Sequence, residues 1–159
     1  LIGNEPFAVI LADDLCECNE NGVVAQMIEI YNQYHCSIVA IEEVPENQTN
    51  KYGIIAAEKI TNSSNAYLVT DLVEKPEIGK APSNMAIIGR YILTPDIFNL
   101  LKNIPPGKNG EIQITDALNV QAKEGKVIAY KFNGKRFDCG SIKGYIHATN
   151  HFAKKLGYQ

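Results

Sequence analysis

The chain has 159 residues, of which 45% are hydrophobic and 21% charged, and its formal net charge is −3. These values suit a single domain with a buried core. A nucleic-acid-binding surface needs a basic excess, and no apolar run approaches the roughly 20 residues of a membrane-spanning helix. We therefore expect neither nucleic acid nor a membrane as a partner. The four cysteines include no Cys-x-x-Cys pair, which favours reduced thiols in a cytoplasmic protein over a zinc site.

The first part of the chain predicts a strand, a helix and a second strand. Residues 7–12 are continuously apolar, which is typical of a strand buried on both faces. Apolar residues at helical spacing predict a helix over residues 22–34, and a second buried strand follows over residues 37–41. This order predicts a βαβ unit with parallel strands and a right-handed crossover.

The rest of the chain alternates strands with helices. Strands over residues 52–57 and 67–73 are predicted to pair as a hairpin. The pattern as a whole predicts an α/β fold with a mixed, mostly parallel sheet. The remaining predicted elements are a strand over 85–93, a helix over 96–103, a loop over 105–110, a helix over 111–124, a strand over 127–132 and a helix over 142–156.

Three aspartates are candidates for a metal site. Asp13 and Asp14 directly follow the first predicted strand, and ligands of open α/β sheets gather beyond the carboxyl ends of the strands. A carboxylate there suits Mg²⁺ that bridges to substrate phosphates, and the alternative is a solvated turn. Asp138 lies in an apolar context, where a carboxylate needs a partner. It is a candidate second Mg²⁺ ligand or, alternatively, the cap of the last helix.

Glu74, Lys75 and Pro76 place a carboxylate beside a cation at the end of another predicted strand. A glutamate can accept hydrogen bonds from sugar hydroxyls, and a lysine offers a point charge to phosphate. The alternative is an exposed ion pair beside a turn. Gly53 begins a strand, where it would let a ligand approach the backbone closely or would simply form a turn.

Six motifs occur along the chain in the order of one family, at residues 7–14, 52–55, 73–76, 83–91, 110–118 and 137–141. Together they cover essentially the whole chain and resemble the bacterial UTP–glucose-1-phosphate uridylyltransferases, or UDP-glucose pyrophosphorylases. The resemblance implies a Rossmann-like three-layer sugar nucleotidyltransferase fold. Family members begin with a Gly-rich nucleotide-binding loop that is missing here. We therefore expect residues 1–159 to be a partial catalytic domain, the sugar-phosphate-binding half, with a sheet incomplete at its N-terminal side.

The resemblance implies transfer of a uridylyl group from UTP to glucose 1-phosphate by an Mg²⁺-dependent in-line displacement, which gives UDP-glucose and pyrophosphate. Both substrates are small molecules, and the family also implies a homodimer or homotetramer. We expect the isolated chain to be inactive, because the part that binds the base is absent. A sheet that lacks its first strands exposes apolar surface, so we also expect the chain to associate or to be poorly stable.

Transferred residue by residue, the resemblance implies metal binding by Asp13 and Asp138 and catalytic roles for Asp13 and Lys75. It assigns no direct role to Asp14. Around the sugar phosphate it places Glu74, Lys75 and Asn84, together with the backbone of Gly53 and the backbone around Ala86 and Ile87.

Three other functions stay open. A related sugar-1-phosphate nucleotidyltransferase would use dTTP, ATP or CTP, and the base pocket that decides this is not in the chain. A metal-dependent glycosyltransferase also carries aspartates at strand ends, but it usually shows Asp-x-Asp, whereas Asp13 and Asp14 have no spacer. A non-catalytic fragment that only binds sugar phosphate or assembles is the third.

Overall fold

The computed structural model describes residues 2–19, 21–107 and 110–158, so residues 108 and 109 of the predicted loop lie outside it. No helix in these ranges is long and apolar enough to cross a membrane. In chain order the elements are β1 (Phe7–Ile10), β2 (Asp14–Glu17), α1 (Val23–Tyr34), β3 (Ser37–Glu43), a 3-10 helix (Glu46–Lys51), β4 (Gly53–Lys59), β5 (Ala66–Glu74), β6 (Met85–Leu93), α2 (Ile97–Asn103), α3 (Ile114–Lys123), β7 (Val127–Lys131), β8 (Lys135–Asp138) and α4 (Ile142–Lys155).

Six strands form the main sheet in the order β1-β6-β3-β7-β5-β4, and a bridge between Ile54 and Ala86 also joins β4 to β6. The predicted α/β class and mixed sheet are confirmed. The prediction of a mostly parallel sheet is wrong, because only β3 and β7 pair in parallel among the described strands of this sheet. The physical reason is that β4 and β5 form the predicted antiparallel hairpin, and β6 runs against both β1 and β3.

The first strand lies at the edge of the sheet. β1 and β3 point the same way because each is antiparallel to β6, which lies between them. The strands of the predicted βαβ unit therefore share a direction but are not neighbours. Burial of β1 on both faces is also wrong, because its residues alternate and Ile10 is 57% exposed. Phe7 and Val9 pack against the core from the other face.

The core lies on both faces of the main sheet, and alternation along β6 divides it. Tyr91 and Leu93 belong to a cluster that includes Leu118 of α3 and Ile97 of α2. Ile92 belongs to a second cluster, on the side of α1. Helices on both faces of one sheet form three layers, as the resemblance implied.

A two-stranded ribbon of β2 and β8, which was not predicted, carries α4. The ribbon is antiparallel, and the ring of Phe137 packs against His147, His151 and Phe152 of α4. The hydroxyl of Ser141 accepts a hydrogen bond of 3.1 Å from a backbone N–H in the first turn of α4. Ser141 therefore caps this helix, and the alternative of Asp138 as the cap is wrong.

Candidate functional site

A cleft of about 390 Å³ lies where the carboxyl ends of β1 and β5 meet the start of β4. Its volume is within the range of sites for small ligands. Carboxylates and cations both line it, a combination that suits a phosphate together with a metal ion. The predicted site residues that line this cleft are Asp13, Gly53, Glu74, Lys75, Ile87 and Asp138.

Two predicted site residues lie elsewhere. Ala86 is fully buried and packs with Val44 and Ile54, because alternation along β6 turns it away from the face that carries Ile87. Asn84 lines a separate hollow, and its backbone carbonyl accepts a hydrogen bond of 2.9 Å from the N–H of Val44. Asn84 and the side chain of Ala86 therefore lie outside the cleft, whose wall the neighbouring Ile87 forms in part.

The ribbon brings Asp13 and Asp138 together, although 125 positions separate them in the numbering. Asp14 faces Asp138 in the register of β2 and β8. The backbone carbonyl of Asp13 accepts a hydrogen bond of 2.7 Å from the N–H of Cys139. A Cβ added at Gly140 would lie 3.1 Å from Oδ2 of Asp13 and 3.2 Å from Oδ1 of Asp138. The two carboxylates therefore flank one small space, which a side chain at position 140 would fill.

These two carboxylates have the chemistry of a magnesium site. In the described part of the chain, no group of three or more His, Cys, Asp or Glu residues could hold a metal ion. Mg²⁺ does not need such a group, because it is commonly bound by one or two carboxylates together with substrate phosphates and water. Asp13 and Asp138 supply oxygens of the type that this ion takes, and Oδ1 of Asp138 also accepts a hydrogen bond of 3.0 Å from the N–H of Gly140.

The β4–β5 hairpin positions the sugar-phosphate candidates. Gly53 is the cross-strand partner of Glu74, and the N–H of Lys75 donates a hydrogen bond of 3.0 Å to the carbonyl of Tyr52. Lys75 has a φ of +44°, a left-handed conformation that is costly for a residue with a side chain and is concentrated at functional sites. The buried Pro76 follows it, and a residue before proline is itself restricted. The backbone thus fixes where the Lys75 side chain leaves the strand.

One carboxylate oxygen of Glu74 accepts a hydrogen bond, and the other lies nearer the ammonium of Lys75. The hydroxyl of Thr115 donates a hydrogen bond of 2.6 Å to Oε2 of Glu74. The ammonium of Lys75 lies 3.8 Å from Oε1.

Tyr91 also lines the cleft, and burial raises the pKa of its phenol to about 12, helped by the negative charges of Glu74 and Asp14. The Tyr91 phenol therefore stays neutral in the cleft at physiological pH.

Arg136 is a buried cation that lines the cleft, and it was not predicted from the sequence. Its guanidinium donates to Oδ1 of Asp14 and lies 3.5 Å from Oδ2 of Asp138 and 5.2 Å from the ring centre of Tyr52. Burial alone would lower the pKa of Arg136, but hydrogen bonds to Asp14 and Tyr52 raise that pKa above its ordinary value. Arg136 therefore stays charged and joins the two strands of the ribbon.

Asp14 holds the strand-end loop in place. It is 6% exposed, and its Oδ2 accepts a hydrogen bond of 2.8 Å from the N–H of Gly89 in β6. The guanidinium of Arg90 donates to the backbone carbonyls of Leu11 and Asp14. These bonds fix the loop, so Asp13 projects from a rigid support.

The whole pattern matches the nucleotidyl transferase family, over residues 1–155. The chain belongs to the nucleotidyl transferase family. Its motifs at residues 7–14 and 137–141 supply the two carboxylates of the cleft, and the motif at residues 73–76 supplies Glu74 and Lys75.

Individual nucleotidyl transferases are similar over nearly all of this chain. A UTP–glucose-1-phosphate uridylyltransferase from Pseudomonas aeruginosa is 63% identical over 98% of this chain and 56% of that protein. UTP–glucose-1-phosphate uridylyltransferase 2 from Staphylococcus saprophyticus is 45% identical over 97% of this chain and 52% of that protein. A crystal structure of a UDP-glucose pyrophosphorylase complexed with UDP-glucose is 58% identical, with a TM-score of 0.92 over 97% of this chain and 58% of that chain.

These findings confirm the resemblance drawn from the motifs. The chain spans about half the length of the curated relatives that it matches.

Two further residues of the nucleotidyl transferase cleft lie within or directly beside the motifs. Arg136 stands two positions before Asp138, and alternation along a strand puts such residues on one face. Thr115 lies in the motif at residues 110–118, which carried the resemblance without any assigned role. Arg136 was missed because β8 was not predicted as a strand, since it is only four residues long.

A second hollow of about 640 Å³ has Lys51, Tyr52, Arg136 and Asp138 in common with the lining of the cleft. This hollow also reaches the first turn of α4 at Lys143.

Proposed function

We propose that this nucleotidyl transferase chain provides the sugar-phosphate and metal side of uridylyl transfer from UTP to glucose 1-phosphate, which gives UDP-glucose and pyrophosphate. The observation that carries the proposal is the cleft that joins the Asp13–Asp138 carboxylate pair to Glu74 and Lys75. The substrates come from the names of the relatives that match nearly the whole chain.

Glu74 and Lys75 would bind the two ends of glucose 1-phosphate. Oε1 of Glu74 faces the cleft and would accept a hydrogen bond from a sugar hydroxyl. The ammonium of Lys75, on a side chain that is 60% exposed, would pair with the phosphate. Gly53, which packs against the Glu74 carboxylate, would offer its backbone to the sugar. These contacts hold the nucleophilic phosphate in one orientation.

The reaction then needs little from the protein besides position and charge. A phosphate oxygen of glucose 1-phosphate attacks the α-phosphorus of UTP in line. The bond between that phosphorus and the oxygen bridging to the β-phosphate breaks, and pyrophosphate carries the electron pair away. Because charge spreads over the phosphoryl oxygens in such a transition state, catalysis comes from alignment and electrostatic stabilisation.

Asp13 and Asp138 would hold Mg²⁺, which when bound neutralises phosphate charge and fixes phosphate geometry. The part played by the chain is to set both carboxylates beside Gly140. Arg136 limits the repulsion between Asp14 and Asp138, whose carboxylates lie on either side of its guanidinium.

The test of this proposal is pyrophosphate release by a polypeptide that extends this chain to the full length of its relatives. Glucose 1-phosphate and Mg²⁺ are supplied with UTP, dTTP, ATP or CTP in turn. We expect release with UTP to exceed release with each other nucleotide at least tenfold. Faster release with another nucleotide, or transfer of glucose from UDP-glucose to an acceptor without pyrophosphate chemistry, would contradict the proposal. Asp13→Ala and Lys75→Ala in the same polypeptide should each abolish the release of pyrophosphate.

A further inference from the structure

Thr115 lies behind the carboxylate that faces the sugar. It is 5% exposed in the first turn of α3, and its hydroxyl donates a hydrogen bond of 2.6 Å to Oε2 of Glu74. A short bond from a buried hydroxyl to a carboxylate is among the stronger hydrogen bonds of a protein. Thr115 does not need to touch a substrate to act on Glu74.

Gly53 closes the other side of this contact. A Cβ at position 53 would lie 3.2 Å from Oε2 of Glu74 and 3.3 Å from Oγ1 of Thr115. These distances are tight, so backbone packs directly against the bonded pair. The register of the hairpin sets Gly53 opposite Glu74, and this pairing holds the backbone of Gly53 against the carboxylate. The Glu74 carboxylate is therefore held between α3 and β4.

The second oxygen of Glu74 is left for a ligand. Within the described residues Oε1 accepts no hydrogen bond, and the ammonium of Lys75, at 3.8 Å, is beyond hydrogen-bonding distance. The Glu74 side chain is 22% exposed, so Oε1 can be reached from the cleft. Because the hydrogen bond from Thr115 holds Oε2, rotation of the carboxylate is restricted and Oε1 points in one direction.

We infer that Thr115 is a positioning residue that aims Oε1 of Glu74 at one hydroxyl of the bound sugar and so determines which sugar phosphates bind. The inference rests on the proposed function, because it takes a sugar phosphate as the ligand. A site built to hydrogen-bond a substrate hydroxyl discriminates strongly against an analogue that lacks it. Without Thr115 the carboxylate could rotate, and this discrimination would fall.

The experiment compares the chain with Thr115→Val, which replaces the hydroxyl with a methyl group, and with Thr115→Ser, which keeps the hydroxyl and removes the methyl group. Each protein is titrated calorimetrically, in Mg²⁺, with glucose 1-phosphate, with its monodeoxy analogues and with inorganic phosphate. We expect Thr115→Val to weaken glucose 1-phosphate binding about tenfold and to leave inorganic phosphate binding unchanged. Thr115→Ser should bind glucose 1-phosphate within about twofold of the parent chain.

The deoxy analogues give the readout that a merely structural role would not change. In the parent chain one analogue should bind at least about tenfold more weakly than glucose 1-phosphate. In Thr115→Val that penalty should shrink to about twofold, because the two losses share one interaction. Thr115→Ala, which introduces no extra bulk beside Gly53, repeats the comparison if Thr115→Val does not fold by circular dichroism.

Two negative results are distinguishable. If the parent chain binds glucose 1-phosphate and the valine variant keeps both the affinity and the penalty for the deoxy analogue, the inference about Thr115 is overturned and the proposed function stands. If the folded parent chain binds no sugar phosphate, the proposed function fails for this chain and the inference fails with it.

Discussion

The guanidinium of Arg136 donates a hydrogen bond to Oδ1 of Asp14, and both side chains are less than a tenth exposed. The pair joins β8 to the loop that carries Asp13. Because Asp14 also accepts from the N–H of Gly89, this one carboxylate links the ribbon to the main sheet. The stability of the ribbon and the geometry of the candidate metal site therefore depend on the same ion pair.

Replacing Arg136 with methionine should destabilise the chain strongly. The change leaves the carboxylate of Asp14 buried without its cation, which costs about 3–5 kcal/mol in the free energy of unfolding. Urea unfolding followed by circular dichroism measures the loss. Arg136→Lys should lose less stability, because it keeps the positive charge and loses only the additional hydrogen bonds of the guanidinium.

The double variant Asp14→Leu with Arg136→Met is the matched control. It removes both charges together, so no uncompensated carboxylate is left, and it should be more stable than Arg136→Met alone. Equal stabilities for parent and Arg136→Met would show that the pair contributes nothing.

Gly89→Ala should weaken the same junction through steric overlap. A Cβ at Gly89 would lie 2.6 Å from Cβ of Leu11 and 2.7 Å from Oδ2 of Asp14. The strand-end loop would have to shift, at a cost of about 1–3 kcal/mol. Gly22→Ala is the control, because an added Cβ there meets nothing within 4 Å. Thermal unfolding should show a larger fall in Tm for Gly89→Ala than for Gly22→Ala, and an equal shift in Tm for the two would contradict the steric argument.

Local patterns predicted the elements whose signal lies within one segment. The strand over residues 85–93 and the last helix follow from apolar runs and helical spacing. The hairpin followed from two adjacent runs, and it carries Gly53, Glu74 and Lys75 to the cleft. The sugar-phosphate side of the site was therefore accessible from short stretches of sequence.

Pairing between strands far apart in the chain could not be predicted from short stretches of sequence. β2 and β8 are each four residues long, with mixed polar and apolar residues, and they meet only in the folded chain. The contact of Arg136 with Asp14 depends on that pairing. Helical spacing predicted α4 but did not predict how it packs, and Ile142 is 83% and Tyr145 62% exposed. The helix instead packs through Phe152 against Phe137.

Acid should destabilise the chain partly through Asp96. Although burial tends to raise the pKa of Asp96, hydrogen bonds from Thr94 and Gln121 lower it below its ordinary value. A carboxylate with a depressed pKa stabilises the fold above the unfolded-state pKa, about 3.9, and loses that contribution as the pH falls through the folded-state value. Asp96→Asn should therefore show a flatter fall in unfolding free energy below about pH 4. Parallel pH profiles for the variant and the parent, followed by urea unfolding, would contradict this.

The exposed face of β1 should promote association, as expected from the sequence. Ile10 is 57% and Leu11 44% exposed at the edge of the main sheet, and exposed apolar edges favour contacts between chains. Sedimentation velocity should show concentration-dependent association that Ile10→Lys reduces. A monomer at every concentration, with a sharp unfolding transition, would contradict the expectation.

The central claim is that this chain alone holds a preformed site for a sugar phosphate and Mg²⁺. Calorimetric titration of glucose 1-phosphate and of UDP-glucose, with Mg²⁺, into the chain and its Asp13→Ala and Lys75→Ala variants tests it most directly. We predict binding by the parent chain and at least about tenfold weaker binding by each variant. No binding by a parent chain shown to be folded, or equal binding by all three proteins, would contradict the claim.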